Sequence, residues 1–154
     1  MPGYGLPRGT KGLPPWRWAE TRLTRSHNYW LMTVKPDATP HAMVVWGIWV
    51  DRRFYFSTGR QSKKARNLAA NPTCIVGTER ADEAVILEGT GTELTDAKRI
   101  EKLGAVYYRK YRPWKLDPSM GPVFEVEPRV IFGLREKTFK AATRWIVTRD
   151  NGED

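Results

Sequence analysis

At 154 residues, 40% of them hydrophobic and 28% charged, the chain suits one globular domain with a core of its own, which excludes a disordered or low-complexity protein. Its single cysteine, Cys74, excludes an internal disulfide and a cysteine-based zinc site, and no run approaches the roughly 18 continuous apolar residues of a membrane-spanning helix. Twenty-six Lys and Arg against seventeen Asp and Glu give a net charge of +9, which suits a polyanionic partner: nucleic acid, a lipid surface or a phosphorylated cofactor.

Residues 1–15 are rich in Pro and Gly and read as an extended arm; with no apolar block they predict no secretory signal, so a cytoplasmic location is expected. The single domain is expected over 16–148, with a tail over 149–154. "WRWAETRLTRS" spaces Trp16, Ala19 and Leu23 on one side, a short amphipathic helix opened by Pro14-Pro15. The period then changes. "NYWLMTV", "HAMVVWGIWV", "RRFYFST", "TCIVGTE" and "EAVILEGTGTEL" are β-branched and aromatic runs broken by turn chemistry, and they predict an antiparallel sheet that closes on itself. Gly89 and Gly91 inside the last run mark a bulge or barrel corner. "SKKARNLAAN" predicts a helix ended by Asn71-Pro72. "TDAKRIEKLGAVYYRKYR" predicts another, with Thr95 as N-cap and a stripe of Ile100, Leu103, Val106 or Tyr107, and Tyr111. Strands return in "PVFEVE", which bends at Pro128, then in "RVIFGL" and "RWIVT". The expected fold is mainly β, a barrel with few helices.

Lys63 and Lys64 open a helix whose N-terminus already carries partial positive charge, a placement that costs roughly 0.3–1 kcal/mol per cation. A polar turn feeding a helix start presents unpaired N–H groups and is an anion site in waiting. Thr58 and Ser62 add hydroxyl donors there, and Arg60, Lys63 and Lys64 add charge. A bound phosphate turns the misplaced lysines into a ligand shell; the bland reading is a solvated basic turn. His27 and His41, the only histidines, have no carboxylate cluster beside them and make a poor metal site. Glu125 and Glu127 share a strand face, where solvated carboxylates outnumber catalytic pairs. Trp46 and Trp49 fall on opposite faces of one predicted strand, so one of them leaves the core for a dimer interface or a ring pocket.

With "FSTGRQSKKARNLAANP" in view, a strand, Thr, loop, Ser-basic-Lys, helix and Asn-Pro series, the sequence resembles the pyridoxamine 5'-phosphate oxidase-like family of flavin and deazaflavin binding proteins, from about Trp16 to Val147. The resemblance implies a split β-barrel of the FMN-binding type and a homodimer with cofactor at the interface. It implies that Thr58, Ser62, Lys63 and Lys64 hold the cofactor phosphate. It implies that Ala42, Met43, Val44 and Val45, in "PHAMVVWGIW", run along the ring, and that Arg144 and Trp145, in "ATRW", reach the cofactor region. The family's oxidase carries an arginine where this chain has Ala42, and its substrate-phosphate ligands are not recognisable here, which argues against oxidation of a vitamin B6 phosphate. The closer likeness is to bacterial members, some of which use F-420 instead of FMN.

The resulting expectation is a flavin- or deazaflavin-dependent oxidoreductase acting on a small organic substrate, with the redox chemistry carried by FMN or F-420. Arg52, Arg53 and Arg60 would suit the polyanionic tail of F-420. A second reading is a non-catalytic binder of FMN, F-420 or haem. A third, a nucleic-acid-binding barrel, is disfavoured because the charge gathers at one turn instead of interleaving with exposed aromatics along the strands.

Overall fold

The structure is a computed structural model and describes residues 13–138 and 142–147; most of the expected N-terminal arm and all of the tail lie outside the described residues. In chain order the elements are α1 (Trp16–Arg25), β1 (Tyr29–Val34), β2 (Pro40–Val45), β3 (Ile48–Val50), β4 (Arg53–Ser57), α2 (Lys63–Ala70), β5 (Thr73–Thr78), β6 (Glu83–Leu94), α3 (Ala97–Tyr111), β7 (Val123–Arg135), a 3-10 turn over Glu136–Thr138, and β8 (Thr143–Ile146).

The strands form one antiparallel sheet in the order β2-β1-β5-β6-β7-β4-β3, with β8 also on β7. β2 and β3 stand at the two ends of that order, yet only Trp46 and Gly47 separate them in sequence, so the sheet curls until its ends meet. This is the split β-barrel anticipated above. The expected single strand "HAMVVWGIWV" is therefore two, and the break has a steric cause. A Cβ on Gly47 would stand 2.2 Å from Phe54 Cζ and 2.7 Å from the Tyr55 carbonyl oxygen, so only glycine lets the chain pass at the barrel seam. Conversely, "PVFEVE" and "RVIFGL" are one strand, β7, which continues through Pro128; the register against β6 shifts between Glu88 and Gly89. A Cβ on Gly89 would lie 2.1 Å from the Glu127 carbonyl oxygen, so the bulge expected at this glycine is where two backbones touch.

Inside the barrel Tyr29, Phe54 and Phe56 are fully buried, with ring centroids 4.7 Å (Tyr29–Phe54) and 6.1 Å (Phe54–Phe56) apart, and Phe124 stacks on Phe56 at 5.3 Å. Each such side chain contributes ~1.5–3 kcal/mol by leaving water. α1 closes one end through Trp18, Ala19 and Leu23. Trp18 belongs to the core, and Trp16, expected there, is only partly buried against it. A second apolar cluster joins α3 to the β3–β4 hairpin through Ile48, Tyr55, Leu103 and Tyr111. Of Trp46 and Trp49, Trp49 is buried and Trp46 is the one that leaves the core, and its destination is α3: its ring stacks on Tyr111 at 4.8 Å and 4°. The N-cap of α3 is Asp96, which accepts from the Arg99 N–H at 3.1 Å, in place of the expected Thr95. Cys74 is buried, and burial pushes its thiol up to about 12, which leaves it inert. No helix among the described residues is long and apolar enough to cross a membrane.

Candidate functional site

β4 ends at Ser57, and the turn from Thr58 to Ser62 carries the chain into α2. Ser62 is the N-cap: its backbone is extended, at φ −65° and ψ 150°, and its Oγ accepts from the Ala65 N–H at 3.3 Å. Thr58 Oγ1 donates to the same Oγ at 3.2 Å, so the two hydroxyls expected to act together are adjacent. The Ser62 N–H closes the turn onto the Gly59 carbonyl at 3.0 Å, and the Thr58 N–H reaches Pro122 O at 3.4 Å. α2 has no acidic residue in its first turn to offset Lys63 and Lys64.

The sequence reading missed a third side of this site. β2 lies along β1 in a register that sets His41 opposite Thr33, and Asn67 of α2 donates to Thr33 Oγ1 at 3.0 Å, which ties β1 to the helix. His41 is partly buried, and its Nδ1 has no hydrogen-bond partner. Burial first, then the charges of Lys63, Lys35 and Lys64, hold its imidazole below the ordinary value. Three ammonium groups, two from α2 and one from the turn after β1, thus act on this imidazole, and no carboxylate among the described residues offsets them. Strand parity was the available signal: His41 is one residue before the expected ring-contacting segment and on the inner face, whereas Lys35 lies across a turn that sequence spacing does not close.

The expected ring-contacting residues divide between two faces. Met43 and Val45 share the face of Leu31 and Tyr29, while Ala42 and Val44 share that of Met32 and Trp30. Val45 is buried in the core; Ala42, Met43 and Val44 are exposed. Arg60 forms a paired contact with Glu93, at 2.8 and 3.2 Å, which raises its pKa. Arg53 opens β4 and Arg60 lies past its other end, with about 13 Å of strand between Arg53 and Ser57, so Arg52, Arg53 and Arg60 do not form one patch. Arg144 is exposed on β8, and Trp145 packs edge-on to Trp16 at 5.5 Å. Among the described residues no hydrogen bond or ion pair joins Arg144 or Trp145 to the α2 turn. Glu125 accepts from Tyr55 Oη at 2.8 Å and pairs with Arg99 and Arg53, the structural role that a solvated strand face suggested. No group of three or more metal-ligating side chains occurs among the described residues.

The donor set of the turn fits a phosphate: two hydroxyls, helix-start N–H groups that lack intrahelical partners, and the ammonium groups of Lys63 and Lys64, with Lys35 adding charge felt at the unpartnered His41. The outer face of the sheet, opposite the one on which Asn67 of α2 meets Thr33, carries an exposed apolar row. Val44, Trp30, Gly77, Ile86, Phe132 and Arg144 form one row across β2, β1, β5, β6, β7 and β8, and Val44, Trp30 and Ile86 are 44%, 46% and 39% exposed.

Comparison with known proteins identifies the fold and the family. Among solved structures the chain is similar to a conserved hypothetical protein of Mycobacterium tuberculosis, at 18% identity and a TM-score of 0.72, over 94% of this chain and 99% of that one. It is also similar to an F-420 reductase, at 21% identity and a TM-score of 0.60, over 73% of this chain and 94% of that one. A third similar structure is a haem-binding protein of Mycobacterium smegmatis, at 14% identity and a TM-score of 0.66, over 87% of this chain and 59% of that one. No curated protein gives a significant match. The sequence profile described as pyridoxamine 5'-phosphate oxidase matches residues 18–135, most of the chain, and the chain belongs to that family.

Proposed function

We propose that the chain is a flavin- or deazaflavin-dependent oxidoreductase that holds the phosphate of FMN or F-420 on the turn from Thr58 to Lys64 and works as a homodimer. The observation that carries this reading is the Thr58–Ser62 hydroxyl pair at the N-cap of α2, followed at once by Lys63 and Lys64, whose charges, with that of Lys35, are felt at His41. Membership of the family supports it, as does the likeness to a protein named as an F-420 reductase. A dianion on the turn replaces repulsion among three lysines with charge-assisted hydrogen bonds. When bound, the cofactor supplies hydride transfer; the protein's part is position and electrostatics. Met43, exposed on the same face of β2 as His41, and Ala42 and Val44 on the other are the strand residues offered to a ring. Val45 supports them from the core.

The apolar row across Val44, Trp30 and Ile86 is the surface proposed to meet a second copy, because large apolar side chains in a continuous row mark association surfaces. Arg144 lies on that row and is kept in the proposed cofactor set; Trp145, on the opposite face, braces β8 against Trp16. The test is titration of FMN, F-420 and haem into the wild type, Lys63→Ala and Lys64→Ala. Lys64→Ala should weaken FMN or F-420 by about 1.5–3 kcal/mol, the range for a hydrogen bond to a charged group. Haem carries carboxylates and no phosphate, so tight haem binding indifferent to both lysines would favour the binder reading over the oxidoreductase.

A further inference from the structure

Away from the α2 turn, a cleft of about 580 Å³ lies between α3 and the β3–β4 hairpin, with Leu103 and Val106 on one wall and Val50 and Tyr55 on the other. A smaller cavity of about 190 Å³ is walled by Trp16, Trp49, Trp145 and Ile131. Arg52 and Val147 line both, so the two spaces are neighbours with Arg52 bordering each. Arg52 is held there at a cost. Asp51 and Arg52, the two central residues of the hairpin turn, have φ of 49° and 58°, the left-handed region. A two-residue turn of this kind favours Asn-Gly or Asp-Gly. This chain has aspartate first, as expected, and then an arginine where glycine would be unstrained. Strain of this sort clusters at ligand-binding and catalytic positions.

The charges around the cleft point to the kind of ligand. Arg99 pairs with Glu125, and Arg53 lies 3.7 Å from Glu125 and 4.0 Å from Glu127, so these four largely neutralise one another. Arg52 and Lys102 have no ion pair among the described residues, and Asp51 is the only other charge at the rim. Two free cations against one carboxylate favour a monoanion. An arginine fork matches a carboxylate in two hydrogen bonds, and a lobe of three indoles matches a flat ring.

We propose that these neighbouring cavities form a second small-molecule site, separate from the cofactor turn, for a planar aromatic carboxylate whose ring enters the tryptophan lobe and whose carboxylate is held by Arg52 with Lys102 at the rim. The site is distinct because Arg52 precedes β4 and Thr58 follows it, which sets them about 20 Å apart along the strand. The inference does not depend on the identity of the cofactor.

The test is calorimetric titration of the full chain with 2-naphthoate and with its neutral counterpart 2-naphthamide. The naphthoate should bind at one site per chain, at least tenfold tighter than the amide. Arg52→Gly separates strain from loss of folding: it should raise the melting temperature by relieving the left-handed turn, yet weaken naphthoate at least tenfold. Lys102→Gln should weaken it severalfold, and Lys64→Ala should leave it unchanged. Equal affinity for acid and amide, unchanged binding in Arg52→Gly, a lower melting temperature in that variant, or no saturable binding by the wild type would each overturn the proposal.

Discussion

Gly121 and Thr58 touch backbone to backbone: a Cβ built on Gly121 would stand 2.2 Å from the Thr58 carbonyl oxygen and 3.3 Å from Gly59 Cα. The loop ahead of β7 is therefore the floor on which the candidate phosphate turn rests. Gly121→Ala forces one of two backbones to move, and is expected to cost about 1–3 kcal/mol of stability, the range for overpacking. It should also weaken FMN or F-420, because the Thr58 hydroxyl moves with its carbonyl. Gly104→Ala is the control: a Cβ there meets nothing within 4 Å, and the helix should gain roughly 0.5–1 kcal/mol. Thermal unfolding and cofactor titration of both variants decide it; a Gly121→Ala protein that binds and melts like the wild type would show that the contact has slack.

Arg60 and Lys64 should respond differently to removal. Arg60 spends both terminal nitrogens on Glu93, in an exposed pair that contributes little to stability. Arg60→Ala is expected to change cofactor affinity less than threefold, against the loss of at least tenfold expected for Lys64→Ala. Equal losses in the two variants would mean that Arg60 abandons Glu93 for the phosphate on binding.

Trp30 stands in the middle of the exposed apolar row, between Val44 and Gly77. Trp30→Asp places a charge where the second copy would dock and leaves the buried inner face of β1 untouched. Sedimentation should show a dimer for the wild type and a monomer for the variant, with melting temperature little changed at low protein concentration. A wild-type protein that sediments as a monomer at every concentration removes the dimer from the proposal.

Local patterns told most of the fold and one side of the site. The helix starting after Ser62 and the hydroxyl pair were legible because capping and turn chemistry act over four or five residues, which a sequence displays directly. The seam at Gly47 was not, since "HAMVVWGIWV" alternates as one strand and the obstacle, the ring of Phe54, arrives from the facing strand. That one of Trp46 and Trp49 leaves the core was legible from strand parity, but not which, and Tyr111, the partner of Trp46, is 65 residues away with nothing local to announce it. The same limit hid His41 and Lys35, whose nearness to Lys63 depends on how β2, β1 and α2 pack. Arg60 looked like part of the basic set because Glu93 is remote in sequence, and composition counts charges without their partners.

Lys110 offers the test most remote from the cofactor. Its Nζ is half-buried, donates to Tyr29 Oη at 2.7 Å and to the Gly47 carbonyl at 2.9 Å, and lies over the Tyr29 and Tyr111 rings. Burial lowers its pKa from 10.5 to about 8, with Glu79 pulling weakly the other way. Below pH 8 the amine is charged in both folded and unfolded chains, and the burial penalty is present in full. Between about pH 8 and 10.5 the folded chain has lost the proton while the unfolded chain still holds it, so unfolding takes up a proton and stability rises with pH. Raised tyrosine pKa values, from burial first at Tyr29 and Tyr111, act with the opposite sign once unfolded tyrosines ionise near pH 10. The comparison is therefore made between Lys110→Met and the wild type, which share those tyrosines. Discounted for solvent screening, the wild type should gain on the order of 1–2 kcal/mol over the variant between pH 7.5 and 10. Denaturant unfolding at several pH values measures it. Two curves that run parallel across this interval would show that Lys110 keeps its charge, held by the two acceptors and the ring faces around it.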